Sequence, residues 1–216
     1  MCSVRRLSLI GNDLTAWLLI LSFLLSGCQL GSERSFQYVE TDCAGCIEAL
    51  PTNGWCDLCS HGLVAGLIIP SREFHDALDA HGHEVDTETI LCNLCRQVAR
   101  EDQFCPRCRH GFVAGQLYFS ELTWALARGE SAPPDIRCSG CREQVGGLGC
   151  CVACSTYWVG TVRFISTEDA DRAAGQYRRL QVALERLSRC SECAIAGFFG
   201  LPCRFCSSEP IPNPLQ

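Results

Sequence analysis

The feature that most constrains this chain is one cysteine pattern that occurs four times. In each copy, two Cys-x-x-Cys pairs are separated by nine residues. The sixteen cysteines involved are Cys43, Cys46, Cys56, Cys59, Cys92, Cys95, Cys105, Cys108, Cys138, Cys141, Cys151, Cys154, Cys190, Cys193, Cys203 and Cys206. The gaps between copies vary from 29 to 35 residues. Because only the inner gap is constant, we expect the two pairs of one copy to share a site. A cross-braced arrangement, with pairs alternating between sites, is the alternative.

Two Cys-x-x-Cys pairs supply four thiolates, which form a closed tetrahedral set that suits zinc. Such a site has no open coordination position and zinc has no redox chemistry, so the expected role is structural. Successive copies begin 46 to 52 residues apart. Units this short bury only a thin core, and a bound metal is a usual remedy. The pattern therefore predicts up to four zinc ions, one for each four-cysteine unit.

The second copy resembles the zinc ribbon, in particular the short double-zinc-ribbon type. The resemblance rests on Cys92-Asn-Leu-Cys followed by Gln103-Phe104-Cys105-Pro106-Arg107-Cys108, and it extends to the four cysteine segments of 17 residues each. It implies a fold and a metal, but no activity. The family often places glycine directly after the second cysteine of a pair. Here those eight positions hold other residues: Ile47, Ser60, Arg96, Arg109, Arg142, Ser155, Ala194 and Ser207.

The N-terminus has the layout of a secretory signal. Arg5 and Arg6 precede an apolar run at 14–25, which is too short to span a bilayer comfortably because about 20 residues are needed. The run ends in Leu-Ser-Gly-Cys, which resembles the bacterial lipoprotein lipobox. That resemblance implies export and lipidation of Cys28, and Gln29 in place of aspartate favours the outer membrane. An uncleaved anchor or an ordinary signal peptide is the alternative.

The sequence that follows the fourth cysteine is also similar in the first three copies. Runs rich in β-branched and aromatic residues at 62–71, 111–120 and 157–166 predict a strand in each unit. Each run ends in a serine, and helix-like stretches follow at 72–80, 121–128 and 167–187. We therefore expect Ser71, Ser120 and Ser166 to be N-caps.

In the helix predicted at 167–187, one set of residues recurs at helical spacing and is expected to face the core: Ala170, Ala173, Ala174, Tyr177, Leu180, Leu184 and Leu187. Four arginines are expected mainly off that face: Arg172, Arg178, Arg179 and Arg186.

The predicted fold class is therefore small metal-bound α+β repeats. Four zinc-ribbon-like knuckle hairpins are expected, the first three each followed by a strand and a capped helix, with neighbouring units stacked to cover their apolar strands. The predicted organisation is a signal peptide at 1–27, a tether at 28–41, units at 42–91, 92–137 and 138–189, a truncated fourth unit at 190–206, and a disordered tail at 207–216.

Charge and compartment limit the function classes. The net charge is −6, and removing Arg5, Arg6 and Asp13 with the signal makes it −7. Nucleic-acid binding requires a basic face, so that partner is not expected.

Exported cysteines also favour disulfides, but a disulfide framework gives no reason for a constant nine-residue gap. A thiol oxidoreductase would need a low-pKa cysteine at a helix N-terminus, whereas these pairs are expected to precede strands.

Without a catalytic constellation, the sequence predicts a non-enzymatic lipoprotein at the cell envelope. It would be held to the membrane by a lipid anchor and act as a structural or protein-interaction scaffold. The alternatives are an envelope thiol-disulfide or metal-handling protein, and a nucleic-acid-binding zinc-ribbon array.

Three further features have both a plain and a functional interpretation. His61 and His110 follow their fourth cysteines by two residues, and they are either turn residues, hydrogen-bond partners of sulfur or replacements for a ligand. The segment between the first two units is either a solvated linker or an open metal site (His75, Asp76, Asp79, His81, His83, Glu84 and Asp86). Cys150 is either a small apolar filler, a spare reactive thiol or an alternate ligand.

Overall fold

The computed structural model describes residues 42–133, 135–206 and 209–212. The chain divides into units 1–36 and 37–216, and every described residue belongs to the second unit. The predicted signal peptide, the tether and Cys28 lie outside the described residues. No helix within the described part of the chain is long and apolar enough to cross a membrane.

Short helices alternate with small antiparallel strands. The helices are α1 (Ala44–Ala49), α2 (Arg72–Leu78), α3 (Asn93–Ala99), α4 (Glu121–Ala127), α5 (Ser139–Gln144), α6 (Thr167–Leu187) and α7 (Ser191–Phe198). The strands are β1 (Trp55–Cys56), β2 (His61–Val64), β3 (Leu67–Ile69), β4 (His83–Glu84), β5 (Phe104–Cys105), β6 (His110–Val113), β7 (Gln116–Tyr118), β8 (Glu130–Ser131), β9 (Leu148–Cys151), β10 (Thr156–Val159) and β11 (Val162–Phe164). Short 3-10 helices lie at Leu50–Thr52 and Thr87–Thr89.

The strands form one small sheet in each of the first three units. Their orders are β1-β2-β3, β4-β7-β6-β5 and β8-β11-β10-β9. The single strand predicted after each fourth cysteine is wrong, because that run folds into a hairpin. In the first two units, Ala65-Gly66 and Ala114-Gly115 form the turn with φ of 47°, 85°, 50° and 78°. Two positive φ values in a two-residue loop define a type I′ turn, whose twist matches the flanking strands.

The first cysteine pair of each unit also departs from expectation, because it opens a helix and does not precede a strand. Cys43, Cys92, Cys138 and Cys190 are the N-cap residues of α1, α3, α5 and α7. The residues that follow the second cysteine, such as Ile47 and Arg96, tolerate helical backbone, so the chain continues as a helix after the pair.

The constant nine-residue gap has a structural explanation in the first two units. A short helix occupies the first part of the gap, and Asn53 or Asp102 then turns the chain with φ of 52°. The Asn53 Oδ1 atom accepts a hydrogen bond from Ala65 N at 2.8 Å, and Asp102 Oδ1 accepts one from Ala114 N at 2.8 Å. This contact ties the turn inside the gap to the tip of the β2–β3 hairpin in the first unit and of the β6–β7 hairpin in the second.

The three serine caps are confirmed. The hydroxyl oxygens of Ser71, Ser120 and Ser166 accept hydrogen bonds from the backbone N–H groups three residues on, at 3.1, 3.1 and 3.3 Å. The helices that they begin end at Leu78, Ala127 and Leu187. The first two are shorter than predicted by two residues and one residue, and the third matches its predicted bounds.

The long helix α6 lies at the centre of the described structure. Its residues Ala173, Tyr177 and Leu180 are fully buried, as its periodicity predicted. Gln176 and Arg179 are buried as well, so the expectation that Arg179 lies off the apolar face is wrong. That face is wider than the sequence suggested because α6 packs against both α4 and α7.

Neighbouring units share β-sheets, so they are not separate modules. The strand β4 lies in the segment after the first unit's helix, yet it pairs with β7 of the second unit. The strand β8 follows the second unit's helix and pairs with β11 of the third. The predicted unit boundaries at 91/92 and 137/138 therefore cut through sheets.

Part of the predicted disordered tail is ordered in the structure. Within the described residues 209–212, Ile211 is buried and its N–H donates to Gly197 O at 3.1 Å. Arg186 also donates to the Glu209 carbonyl oxygen at 2.6 Å. The tail segment therefore packs against α6 and α7, because Ile211 supplies an apolar side chain that the proline-rich composition obscured.

Candidate metal centres

The structure gathers the sixteen cysteines into four clusters, and each cluster comes from a single unit. Within each cluster all four Sγ atoms lie within 4.8 Å of one another. The clusters are Cys43, Cys46, Cys56 and Cys59; Cys92, Cys95, Cys105 and Cys108; Cys138, Cys141, Cys151 and Cys154; and Cys190, Cys193, Cys203 and Cys206. Each cluster can hold a metal ion.

The sulfur separations fit a tetrahedral metal ion. Four sulfurs at about 2.3 Å from a zinc ion lie about 3.8 Å from one another. In the first cluster Cys43 Sγ lies 3.8 Å from Cys56 Sγ and 3.4 Å from Cys59 Sγ. In the third cluster, the Sγ atoms of Cys138 and Cys151 are 3.7 Å apart. These distances are far too long for disulfide bonds, which measure about 2.05 Å.

The fourth cluster has one short edge. Its Cys193 and Cys206 Sγ atoms are 2.7 Å apart, and those of Cys203 and Cys206 are 3.5 Å apart. The unit also lacks, within the described residues, the hairpin that holds the second pair in the other units. A metal ion in this cluster would have to spread the Cys193–Cys206 edge by roughly 1 Å to reach tetrahedral geometry.

The helix N-terminus changes the acidity of the first thiol in each of the first three clusters. The backbone N–H groups of Cys46, Cys95 and Cys141 lower the pKa of Cys43, Cys92 and Cys138, respectively, to about 7. In the first cluster, burial is the main reason that the pKa of Cys46 rises to about 12. Metal ligands must be thiolates, so the N–H groups favour the ligand form of the first cysteine whereas burial opposes it in the second.

The second pair of each of the first three units forms a knuckle with a left-handed residue after it. Ser60, Arg109 and Ser155 have φ of 54°, 58° and 50°. These are positions where the resembled family often has glycine. Left-handed backbone costs a residue with a Cβ roughly 1–2 kcal/mol, whereas glycine adopts it readily.

We expect Ser155→Gly to stabilise the metal-loaded protein, because it removes this conformational cost at an exposed site. The gain should be at most about 1 kcal/mol, since glycine is also more flexible in the unfolded chain. Ser139→Gly, at an exposed position at the start of α5, is the matched control and should destabilise. Urea unfolding measures both, and a loss of stability in Ser155→Gly would contradict the prediction.

The two histidines after the fourth cysteines differ in their surroundings. His61 Nε2 lies 3.4 Å from Cys46 Sγ, which places the ring beside a ligand sulfur. The ring of His110 instead meets the ring of Phe119 edge-on, with centroids 5.2 Å apart, and burial lowers the pKa of this histidine. The sulfur contact is thus present in the first unit, and it satisfies a thiolate without adding a fifth ligand.

The segment between the first two units brings Asp79, His81 and His83 together, with ligand atoms within 4.8 Å of one another. His81 Nδ1 lies 3.1 Å from Asp79 Oδ1, and His83 Nε2 lies 2.9 Å from Asp79 Oδ2. The two rings also contact each other, with centroids 4.4 Å apart. The carboxylate already receives a contact from each ring, so hydrogen bonding accounts for this grouping.

Solvent access differs within the clusters. The second and third cysteines of the first three clusters are buried, whereas Cys59, Cys154 and Cys206 are exposed. The first, third and fourth clusters therefore each have one edge that faces solvent. Cys150 belongs to none of the clusters.

Comparison with known proteins adds no relative. No protein-family profile, no curated protein and no solved structure matches the chain.

Proposed function

We propose that this protein is a non-catalytic zinc-binding lipoprotein that acts as a structural or protein-interaction scaffold at the cell envelope. The observation that carries the proposal is the set of four all-sulfur clusters, each complete within one unit. Four thiolates fill all four positions of a tetrahedral zinc ion, which leaves none for a substrate or a water nucleophile. The proposed role of the metal is therefore to hold the fold together.

The composition of the small cores supports a structural role for the metal. In the second unit the core cluster consists of Cys95, Val98, Cys105 and Phe112. In the third it consists of Cys141, Cys151 and Trp158. Half or more of these buried side chains are candidate ligands, so few apolar groups remain to stabilise each unit. A metal ion bound by both cysteine pairs supplies the folding stability that so small a core lacks.

The knuckle tips support a protein partner. The residues between the second-pair cysteines include Leu58, Val152 and Phe205, and their side chains are 77%, 79% and 79% exposed. Single exposed apolar residues are common, but here three of the four units present one at the same knuckle.

The anchor that we propose is a lipid on Cys28, and it is supported by the basic, apolar and Leu-Ser-Gly-Cys sequence pattern.

The test is to isolate the full chain from membranes without added metal and to count zinc and thiols on the same sample. We expect about four zinc ions per chain. All sixteen cluster thiols should react only after chelation and unfolding. The Cys28→Ser variant removes the lipid site alone. It should no longer be found in the membrane fraction, and its zinc content should be unchanged. A chain without zinc and with few thiols would overturn the metal role, and a membrane-bound Cys28→Ser variant would overturn the lipid anchor.

One observation favours a second candidate, an envelope metal-handling or thiol-exchange protein. Cys59, Cys154 and Cys206 are exposed, so a competing chelator or thiol can reach three of the four clusters. The first pair also opens a helix, contrary to the expectation that argued against redox chemistry. This candidate predicts that zinc leaves the folded protein within minutes under a colorimetric chelator, whereas a structural scaffold should retain its metal until it unfolds.

A further inference from the structure

A cleft of about 250 Å³ lies where the second unit meets α6 and the end of α7. Its wall includes Arg109, the start of α4 at Ser120, the α6 residue Arg179, and Phe199 and Leu201 after α7. These residues come from distant parts of the sequence, and none of them is a cluster cysteine, although Arg109 directly follows Cys108.

Arg179 is the unusual member of this wall. Its side chain is only 5% exposed, and its Nε atom has no hydrogen-bond partner in the described structure. The guanidinium lies over the ring of Phe198, 5.5 Å from the centroid. Burial lowers the pKa of Arg179, Arg109 lowers it further, and Glu121 acts in the opposite direction. Burying a cation with an unmade hydrogen bond is unfavourable unless some partner satisfies it.

A second guanidinium approaches the same place from the second unit. Arg109 is held by a hydrogen bond from Nη1 to the Phe199 carbonyl oxygen at 3.2 Å. A Cβ atom on Gly200 would lie 3.4 Å from Arg179 Nη2 and 3.9 Å from Arg109 Nη1. Both guanidinium groups therefore converge beside the glycine backbone. Two cations whose Nη atoms both lie within 3.9 Å of one point repel each other. An anion bound between them would offset this repulsion.

We propose that this cleft binds a small carboxylate that carries an apolar group. The carboxylate accepts hydrogen bonds from Arg109 and Arg179, and the apolar group lies against Phe119, Phe199 and Leu201. Guanidinium groups bind carboxylates through paired hydrogen bonds, which suits the donors that converge here.

Charge and size favour a monoanionic carboxylate over phosphate. Two arginines and the single carboxylate of Glu121 give the wall a net charge of +1, from +2 and −1. That charge balances one negative charge, and Glu121 repels a second. The cleft is below the range of about 300–1,000 Å³ that drug-sized ligands occupy, so it fits one small group. Phe119 and Leu201, whose side chains are 43% and 58% exposed, form an apolar rim that phosphate would not use.

The experiment titrates the full zinc-loaded chain with benzoate, benzamide and inorganic phosphate by calorimetry. Benzoate should bind more tightly than the other two. Arg109→Gln should weaken benzoate binding at least about 10-fold, because a hydrogen bond to a charged group is lost. Arg178→Gln removes the same charge from the exposed neighbour of Arg179 on α6 and should bind benzoate like the natural chain. Arg109 is itself exposed, so its replacement should leave the zinc content and the circular dichroism spectrum unchanged.

Four results would overturn the proposal. The first is no benzoate binding at about 10 mM, which is weaker than any useful affinity. The second is equal weakening by Arg109→Gln and Arg178→Gln, which would mean attraction by overall charge. Benzamide binding as tightly as benzoate would remove the role of the carboxylate, and tighter binding of phosphate would remove the role of the apolar rim. None of these results bears on the zinc content, so the test is separate from that of the scaffold.

Discussion

Replacing Cys105 by serine is expected to lower the zinc content by one ion per chain and to unfold the second unit. Cys105 is fully buried and lies in the same core cluster as Cys95, Val98 and Phe112. Structural zinc contributes an apparent 10–16 kcal/mol or so at neutral pH, which is comparable with the entire stability of a domain at about 5–15 kcal/mol. A serine hydroxyl is a poor zinc ligand and leaves a polar group in the core.

The measurement is zinc by mass spectrometry together with limited proteolysis of the same sample. We expect cleavage to appear between residues 92 and 118, the segment that holds the second cluster and its hairpin. Pro106→Ser is the matched control, because it changes the exposed neighbour and leaves all four sulfurs in place. Full zinc content with unchanged proteolysis in Cys105→Ser would show that the metal does not stabilise this unit.

The sequence predicted the cluster memberships that the structure shows, and the reason is physical. A metal site fixes a distance between ligands, and the nine-residue gap that is constant in all four copies reflects that constraint. The serine caps were predictable for a similar reason. An N-cap side chain accepts a hydrogen bond from a backbone N–H group only three residues further along the chain, so the contact can be predicted from the local sequence.

Features that depend on long-range packing were not predictable in this way. The type I′ turn at Ala65-Gly66 lies inside an apolar run, and alanine is an unusual residue for positive φ, so the run looked like one strand. The burial of Arg179 depends on α4 and α7 covering α6 from two sides, which periodicity along a single helix does not reveal. The pairing of β4 with β7 consists of two residue pairs that are distant in the sequence, His83 with Leu117 and Glu84 with Gln116.

The hairpin turns of the first and third units meet at Gly160, which makes this glycine the most sensitive point between them. The N–H group of Thr161 donates to Ala65 O at 3.0 Å, and the Tyr177 hydroxyl donates to the same oxygen at 3.5 Å. Gly160 itself has φ of 58° and exchanges hydrogen bonds with the Gly146-Gly147 turn. A Cβ on Gly160 would lie 1.9 Å from Ala65 O, and backbone cannot move aside as a flexible side chain can.

We therefore expect Gly160→Ala to destabilise the zinc-loaded protein by roughly 3–5 kcal/mol, from the clash, the lost hydrogen bonds and the positive φ. Gly115→Ala is the matched control, since that glycine has φ of 78° in the equivalent hairpin turn but a Cβ there meets nothing within 4 Å. The control should lose only about 1 kcal/mol, the cost of left-handed backbone. Urea unfolding followed by tryptophan fluorescence measures both variants. Because backbone strain is common to the two, the difference between them reports the contact between the first and third units. Equal losses would mean that the two hairpins do not pack together in solution.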